Sequence, residues 1–192
     1  MADSADPPAL HCRRDEREVA AVWTLGSDAL TRTQADGATQ KMVYTEVTEL
    51  RLLYDPVRAA PHRFRCDLNS VAGHRVTLMS KSFIAPGTYE DRAAGYTPFV
   101  RELVRRVGAT TPQCRFRAGQ SPWSFYGGHG LALIGVLITA HLAARFGGLP
   151  ANAGGTLMIV MALAYAAIAI RSAARRRPRR FTSEAIPSDM LP

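Results

Sequence analysis

Apolar and polar residues alternate along most of the stretch from Val19 to Gly119, and then the period changes. AVWTLGSDALTRT reads as a first strand, with Trp23 and Leu25 inward and Leu30 resuming after a break at Gly26–Asp28. Asp36–Gly37 favours a two-residue hairpin turn, and KMVYTEV follows as a second strand. In ELRLLYDP the inward set Leu50, Leu52 and Tyr54 runs out of step with Val43 and Val47. That phase slip predicts a bulge near Glu46–Glu49. RFRCDLNS places Phe64, Cys66 and Leu68 inward, a turn covers Asn69–Gly73, and Val76 and Leu78 continue the pattern. Five short strands with turn chemistry between them predict an antiparallel sheet.

Tyr96, Phe99, Val100, Leu103, Val104 and Val107 then fall on one helical face, with Arg101, Glu102, Arg105 and Arg106 opposite. Thr97 is the expected N-cap, Pro98 the first helical residue and Gly108 the stop. The stripe needs a partner, which the open face of the sheet supplies. CRFRAG adds an edge strand.

Two longer apolar stretches follow, at residues 126–146 and 149–170, joined by the charge-free GGLPANAGG. Each supplies the ~20 positions needed to cross a bilayer. They predict a C-terminal two-helix transmembrane hairpin, with small residues (Ala140, Ala144, Ala162, Ala166) allowing close helix approach. The cluster RSAARRRPRRF follows at once. By the positive-inside rule it predicts a multi-pass inner-membrane protein with both termini cytoplasmic. The expected membrane and lipid contacts are Trp123, Tyr126, Arg145, Arg171, Arg175, Arg176, Arg177, Arg179 and Arg180.

The expected plan is a disordered leader at 1–17, a cytoplasmic domain at 18–119 and a linker at 120–125. The hairpin at 126–171 and a basic tail at 172–192 complete it. For the tail, disorder is one reading and docking back on the domain through Ile186, Met190 and Leu191 the other. Charge placement fits this plan. The formal charge is +8, yet residues 1–125 hold 17 Lys/Arg against 14 Asp/Glu, and residues 171–192 hold six Arg against two acids. A tail-concentrated charge argues against nucleic acid as partner. It points to the bilayer, possible anionic headgroups, and a protein partner or homo-oligomer.

DALTRTQADGATQKMVYTEVTELRLLYDP, RFRCDLNSVAGHRVTLMS and the helix TPFVRELVRRV together resemble, over residues 19–119, the bacterial PH-like domains found beside transmembrane segments in proteins of unknown function. The resemblance implies an α+β fold, an antiparallel PH-like sheet or partial barrel packed by one amphipathic helix. It also implies a scaffold that binds peptides or assembles subunits. Phosphoinositide binding is not expected, because the first hairpin offers only Arg32 and Lys41.

No nucleophile elbow, phosphate loop, zinc spacing or dinucleotide fingerprint occurs. Cys12, Cys66 and Cys114 are odd in number and far apart, as expected of reduced thiols. Glu90–Asp91, His62, His74 and Ser80–Lys81–Ser82 read as turn or strand-end residues. The sequence predicts no catalytic, metal or cofactor site. It points to a non-enzymatic binding or assembly module at the membrane. The alternatives are an accessory or regulatory subunit of a transporter, in which His141 and Arg145 would take part, and an unrecognised membrane-bound enzyme.

Overall fold

A computed structural model describes residues 8–146 and 176–192, together with helical residues 156, 160, 161, 163–165 and 167. The chain divides into two compact units. One runs up to Gly119 and resumes at Arg179–Pro192; the other is Gln120–Pro178.

The first unit is α+β. A four-stranded antiparallel sheet orders β1 (Ala9–Cys12), β2 (Ala21–Leu25), β3 (Ala29–Gln34) and β4 (Thr39–Val43) in sequence. A short 3-10 turn at Tyr44–Glu46 leads into β5 (Val47–Tyr54). A second sheet contains β5, β6 (Phe64–Ser70), β7 (Arg75–Met79), β10 (Arg115–Ala118) and β11 (Arg179–Arg180), in the order β11-β10-β5-β6-β7. β8 (Lys81–Ala85) and β9 (Thr88–Asp91) form a separate hairpin before helix α1 (Ala93–Thr110).

Alternation fixes which residues go inside. Leu50, Leu52, Cys66, Leu68, Val76 and Leu78 are all at most 5% exposed, and they meet the α1 stripe in one core. The stripe is the one the spacing predicts: Tyr96, Phe99, Val100, Leu103, Val104 and Val107 are 0–1% exposed. The predicted phase slip is a register shift between Val47 and Glu49, next to the 3-10 turn. It arises because Tyr44 and Val47 must both reach the core across that turn.

Several expectations are corrected. The first predicted strand is two strands, because Gly26–Asp28 reverses the chain and pairs Leu25 with Leu30. The leader supplies β1, which pairs with β2 because Leu10 and Cys12 bury against the core. α1 starts before Thr97, so Pro98 lies inside it, and it runs past Gly108 to Thr110. Gly108 serves a different purpose, since a Cβ there would lie 2.5 Å from the Ser183 Cβ. The residues expected to link the units are helical: α2 begins at Pro122 and ends at Phe146.

The transmembrane hairpin is also corrected. Among the described residues no helix is long and apolar enough to cross a membrane. α2 contains four glycines, two histidines and Arg145, which dilute its apolar content. The expected second span lies largely outside the described residues. The multi-pass inner-membrane placement rested on that hairpin and falls with it.

Two features of α1 have measurable consequences. The Tyr96 hydroxyl is buried with no hydrogen-bond partner among the described residues, and burial pushes its pKa well above the usual range. An unpaired buried hydroxyl costs about 1–3 kcal/mol. Tyr96→Phe is therefore expected to match or exceed the parent in thermal and urea midpoints, and a clear loss of stability would show that the hydroxyl is satisfied.

Glu102 accepts from Arg105 (2.6 and 2.7 Å) and Arg106 (2.7 Å), and Arg106 Nη1 donates in turn to the carbonyls of Leu25 (3.0 Å) and Gly26. The Arg105 hydrogen bond leads in holding the Glu102 carboxyl at about 2, against its ordinary 4.5. A carboxylate with a depressed folded pKa contributes fully above its unfolded value and loses that contribution as pH falls through the folded one. The Glu102 contribution should fade from pH 4.5 to about 2. Glu102→Gln should flatten the stability profile in that window, and urea titrations across it would check this.

Candidate functional site

The expected contact residues are divided between the two units. Trp123 (90% exposed), Tyr126 (65%) and Arg145 lie on α2, where the rings of Phe125 and Tyr126 meet edge-on at 5.2 Å. His141 is exposed on the same helix. Arg171 and Arg175 lie outside the described residues. The Arg176 carbonyl accepts from the Gln120 amide at 3.0 Å, and Arg177 is exposed. Arg179 and Arg180 form strand β11, with the Arg179 guanidinium bonded to Asp189. Their placement is set by sheet pairing.

That pairing assembles a feature which no single stretch of sequence displays. β11 runs antiparallel to β10, and β10 runs parallel to β5. The registers place Arg180 beside Arg117, Arg117 beside Arg51, and Arg51 beside Asp67. Residues in one cross-strand row share a face, so three guanidinium-bearing side chains stand next to one another on the face away from Leu50, Leu52 and Ala118. In the adjoining row Arg115 stands beside Glu49.

Glu49 is the sole carboxylate among these four arginines. Its Oε1 accepts from Arg51 Nε (3.0 Å) and Nη2 (2.8 Å), and its Oε2 lies 3.4 Å from Arg117 Nε. Arg115 and Arg180 are exposed and form no ion pair among the described residues. The next acid along the row is already saturated. Asp67 accepts from Arg75 (2.5 Å) and Thr77 Oγ1 (2.8 Å) and lies 3.1 Å from Arg65, with its side chain only 2% exposed. The outward face of β11, β10 and β5 therefore carries four arginines against one carboxylate. Two clefts flank it, about 480 Å³ beside Phe116 and Phe181 and about 560 Å³ beside Thr48, Glu49 and Arg115.

Nothing in the described residues assembles a reactive group. Cys12, Cys66 and Cys114 are unbridged and buried, and desolvation raises all three thiols, Cys12 and Cys114 to about 11. They stay protonated near neutrality and are poor nucleophiles. Ser80 Oγ accepts from the Phe64 amide (2.9 Å), Ser82 Oγ from the Arg13 amide (3.1 Å), and Lys81 pairs with Asp91 (3.4 Å). Glu90 pairs with Arg92 at 2.7 Å, and His62 and His74 are exposed in turns. Among the described residues no group of three His, Cys, Asp or Glu side chains could hold a metal ion.

Sequence reasoning placed Arg115 and Arg117 in the edge strand CRFRAG and Arg51 in the strand ELRLLYDP. It missed their adjacency. The available signal was parity, since all three alternate with core residues (Leu50, Leu52, Cys114, Phe116) and must share the solvent face once paired. Comparison with protein-family models, curated proteins and solved structures returns no match.

Glu49 holds the row together, so Glu49→Gln should destabilise the unit by on the order of 1 kcal/mol at low salt. Added salt should recover part of the loss by screening the remaining arginines. Urea midpoints at two ionic strengths would test this, and a salt-independent loss would assign Glu49 a packing role only.

Proposed function

We propose that the chain is a non-catalytic binding module that holds an acidic polypeptide segment on the arginine row of β11, β10 and β5. One observation carries this reading: Arg180, Arg117 and Arg51 stand in one cross-strand row, Arg115 adjoins it, and Glu49 is the carboxylate that pairs with Arg51 and Arg117.

Like charges directly opposed on neighbouring strands are destabilising. Two unit charges about 5 Å apart repel by ~1 kcal/mol in water and by ~3 kcal/mol at an effective dielectric of 20. The Arg51 and Arg117 side chains are 14% and 29% exposed, between those limits. Glu49 offsets part of the repulsion, and an external anion would offset the remainder. Such a ligand finds donors already aligned, which lowers the ordering cost of charge-assisted binding.

The chemistry of the row favours carboxylates on a peptide over nucleic acid. Guanidinium forks match carboxylates in a bidentate fashion. Single-stranded nucleic acid draws much of its affinity from bases stacked on aromatic rings, and neither cross-strand row contains an aromatic residue. The row spans three strands, or about 10 Å at the usual strand spacing, which suits a few consecutive acidic side chains. The likeness of residues 19–119 to PH-like scaffolds supports the same class of role.

A fluorescent deca-glutamate peptide, followed by anisotropy against the full chain at low salt, tests the proposal. Saturable binding is expected, weakening with added salt. The double variant Arg51→Gln/Arg117→Gln is expected to bind at least tenfold more weakly. An oligothymidylate of similar length that binds tighter than the peptide would replace the polypeptide reading with a nucleic-acid one. No binding of either would remove the proposal.

A further inference from the structure

We propose that Arg179–Pro192 is a clasp whose closure on the sheet is coupled to anion binding at the arginine row. The proposal rests on the binding reading above and adds its regulation.

The clasp is attached by two kinds of contact that oppose each other. Apolar contacts hold it on. Phe181 packs against Phe116 at 5.6 Å between ring centres, Ile186 is partly buried against the core, and Met190 (0%) and Leu191 (7%) sit within it. Ser183 lies against Gly108, at a separation that leaves no room for a Cβ. Strand pairing is minimal by comparison, since β11 has only two residues.

Charge works the other way. The Phe181 amide donates to the Phe116 carbonyl at 3.3 Å. Arg117 and Arg180 are therefore the adjacent, non-hydrogen-bonded pair, in which opposed side chains come closest. Closing the clasp brings Arg180 onto Arg117, and Arg179 alone has an acidic partner, Asp189, on the clasp itself. Two clefts, of about 480 and 660 Å³, border the segment between Arg180 and Ile186, so its middle is not packed flush. The largely exposed Thr182–Ala185 middle, with few pairing bonds and open flanks, belongs to the part of a fold that opens first.

An anion that bridges Arg117 and Arg180 reverses the sign of the near-end contact. Arg180 joins the row only when β11 is paired, so the closed form offers one more cation than the open form. A ligand that prefers one of two states shifts the population toward it. Linkage then makes the effect reciprocal: closure tightens anion binding by the same factor as the anion favours closure.

Hydrogen exchange of the Thr182–Leu191 amides in the full chain, read by mass spectrometry with and without saturating deca-glutamate, tests the coupling. The peptide is expected to slow exchange about tenfold. Arg117→Gln removes the repulsion, so it should slow exchange without any peptide and leave little for the peptide to add. Gly108→Ala pushes Ser183 away and should speed exchange while weakening peptide affinity by a comparable factor. Exchange of the clasp that is unchanged in Arg117→Gln, or unchanged by peptide that anisotropy shows to be bound, overturns the clasp and leaves the binding reading intact. Absence of peptide binding removes both.

Discussion

The stripe on α1 governs the architecture of the first unit. Six large side chains from Tyr96 to Val107 project from a helix whose other face is charged, and each gains about 1.5–3 kcal/mol by leaving water. The chain meets this demand with two sheets that share a core, hinged at the Tyr44–Glu46 turn. Tyr44 is fully buried there, its hydroxyl donates to the Gly26 carbonyl (3.1 Å), and its carbonyl accepts from Thr111 Oγ1 (2.8 Å). The turn between β2 and β3, the end of α1 and the start of β5 are thus tied at one place. Arg106 adds a second tie to the same turn and is itself steadied by Glu102.

Local periodicity made much of this legible. Alternation identified the inward residues of β5, β6 and β7, helical spacing identified the α1 face, and the phase slip before Leu50 identified the bulge. What was illegible is what depends on pairing between distant segments. Nothing local says that Phe116 will lie parallel to Leu50, or that Arg180 will lie beside Arg117 across a long intervening stretch. The leader was misread for a related reason. Pro7–Pro8 and the RRDERE run are poor in apolar residues, yet Leu10 and Cys12 suffice for an edge strand when β2 is already in place to receive them. In α2, four glycines, two histidines and Arg145 interrupt the apolar run that segment length alone suggests.

The candidate site has the same origin. Its residues come from β5, β10 and β11, and each alone is an ordinary outward-facing arginine. The row exists because three strands adopt registers dictated on the other face by Leu50, Leu52, Phe116 and Phe181. The core thus sets the spacing of the cations, and Glu49 tempers their repulsion without cancelling it. Asp67 shows the contrasting outcome on the neighbouring strand, where Arg65, Arg75 and Thr77 saturate a single acid and leave no unmet charge.

Ala118 and Arg179 face each other as an antiparallel pair, and Gly119, at φ +81°, begins the departure from that pair. In topological terms the whole of Gln120–Pro178 is a guest spliced into a β-hairpin. The host gains no strand from its described residues and bears its closure entropy, which falls by about 0.6 kcal/mol for each halving of loop length. Excising the guest and bridging Gly119 to Arg179 with a short turn would turn the fifth strand of the sheet into a contiguous neighbour of the fourth. Such a splice converts a pairing of the host now made across about 60 residues into one of its most local.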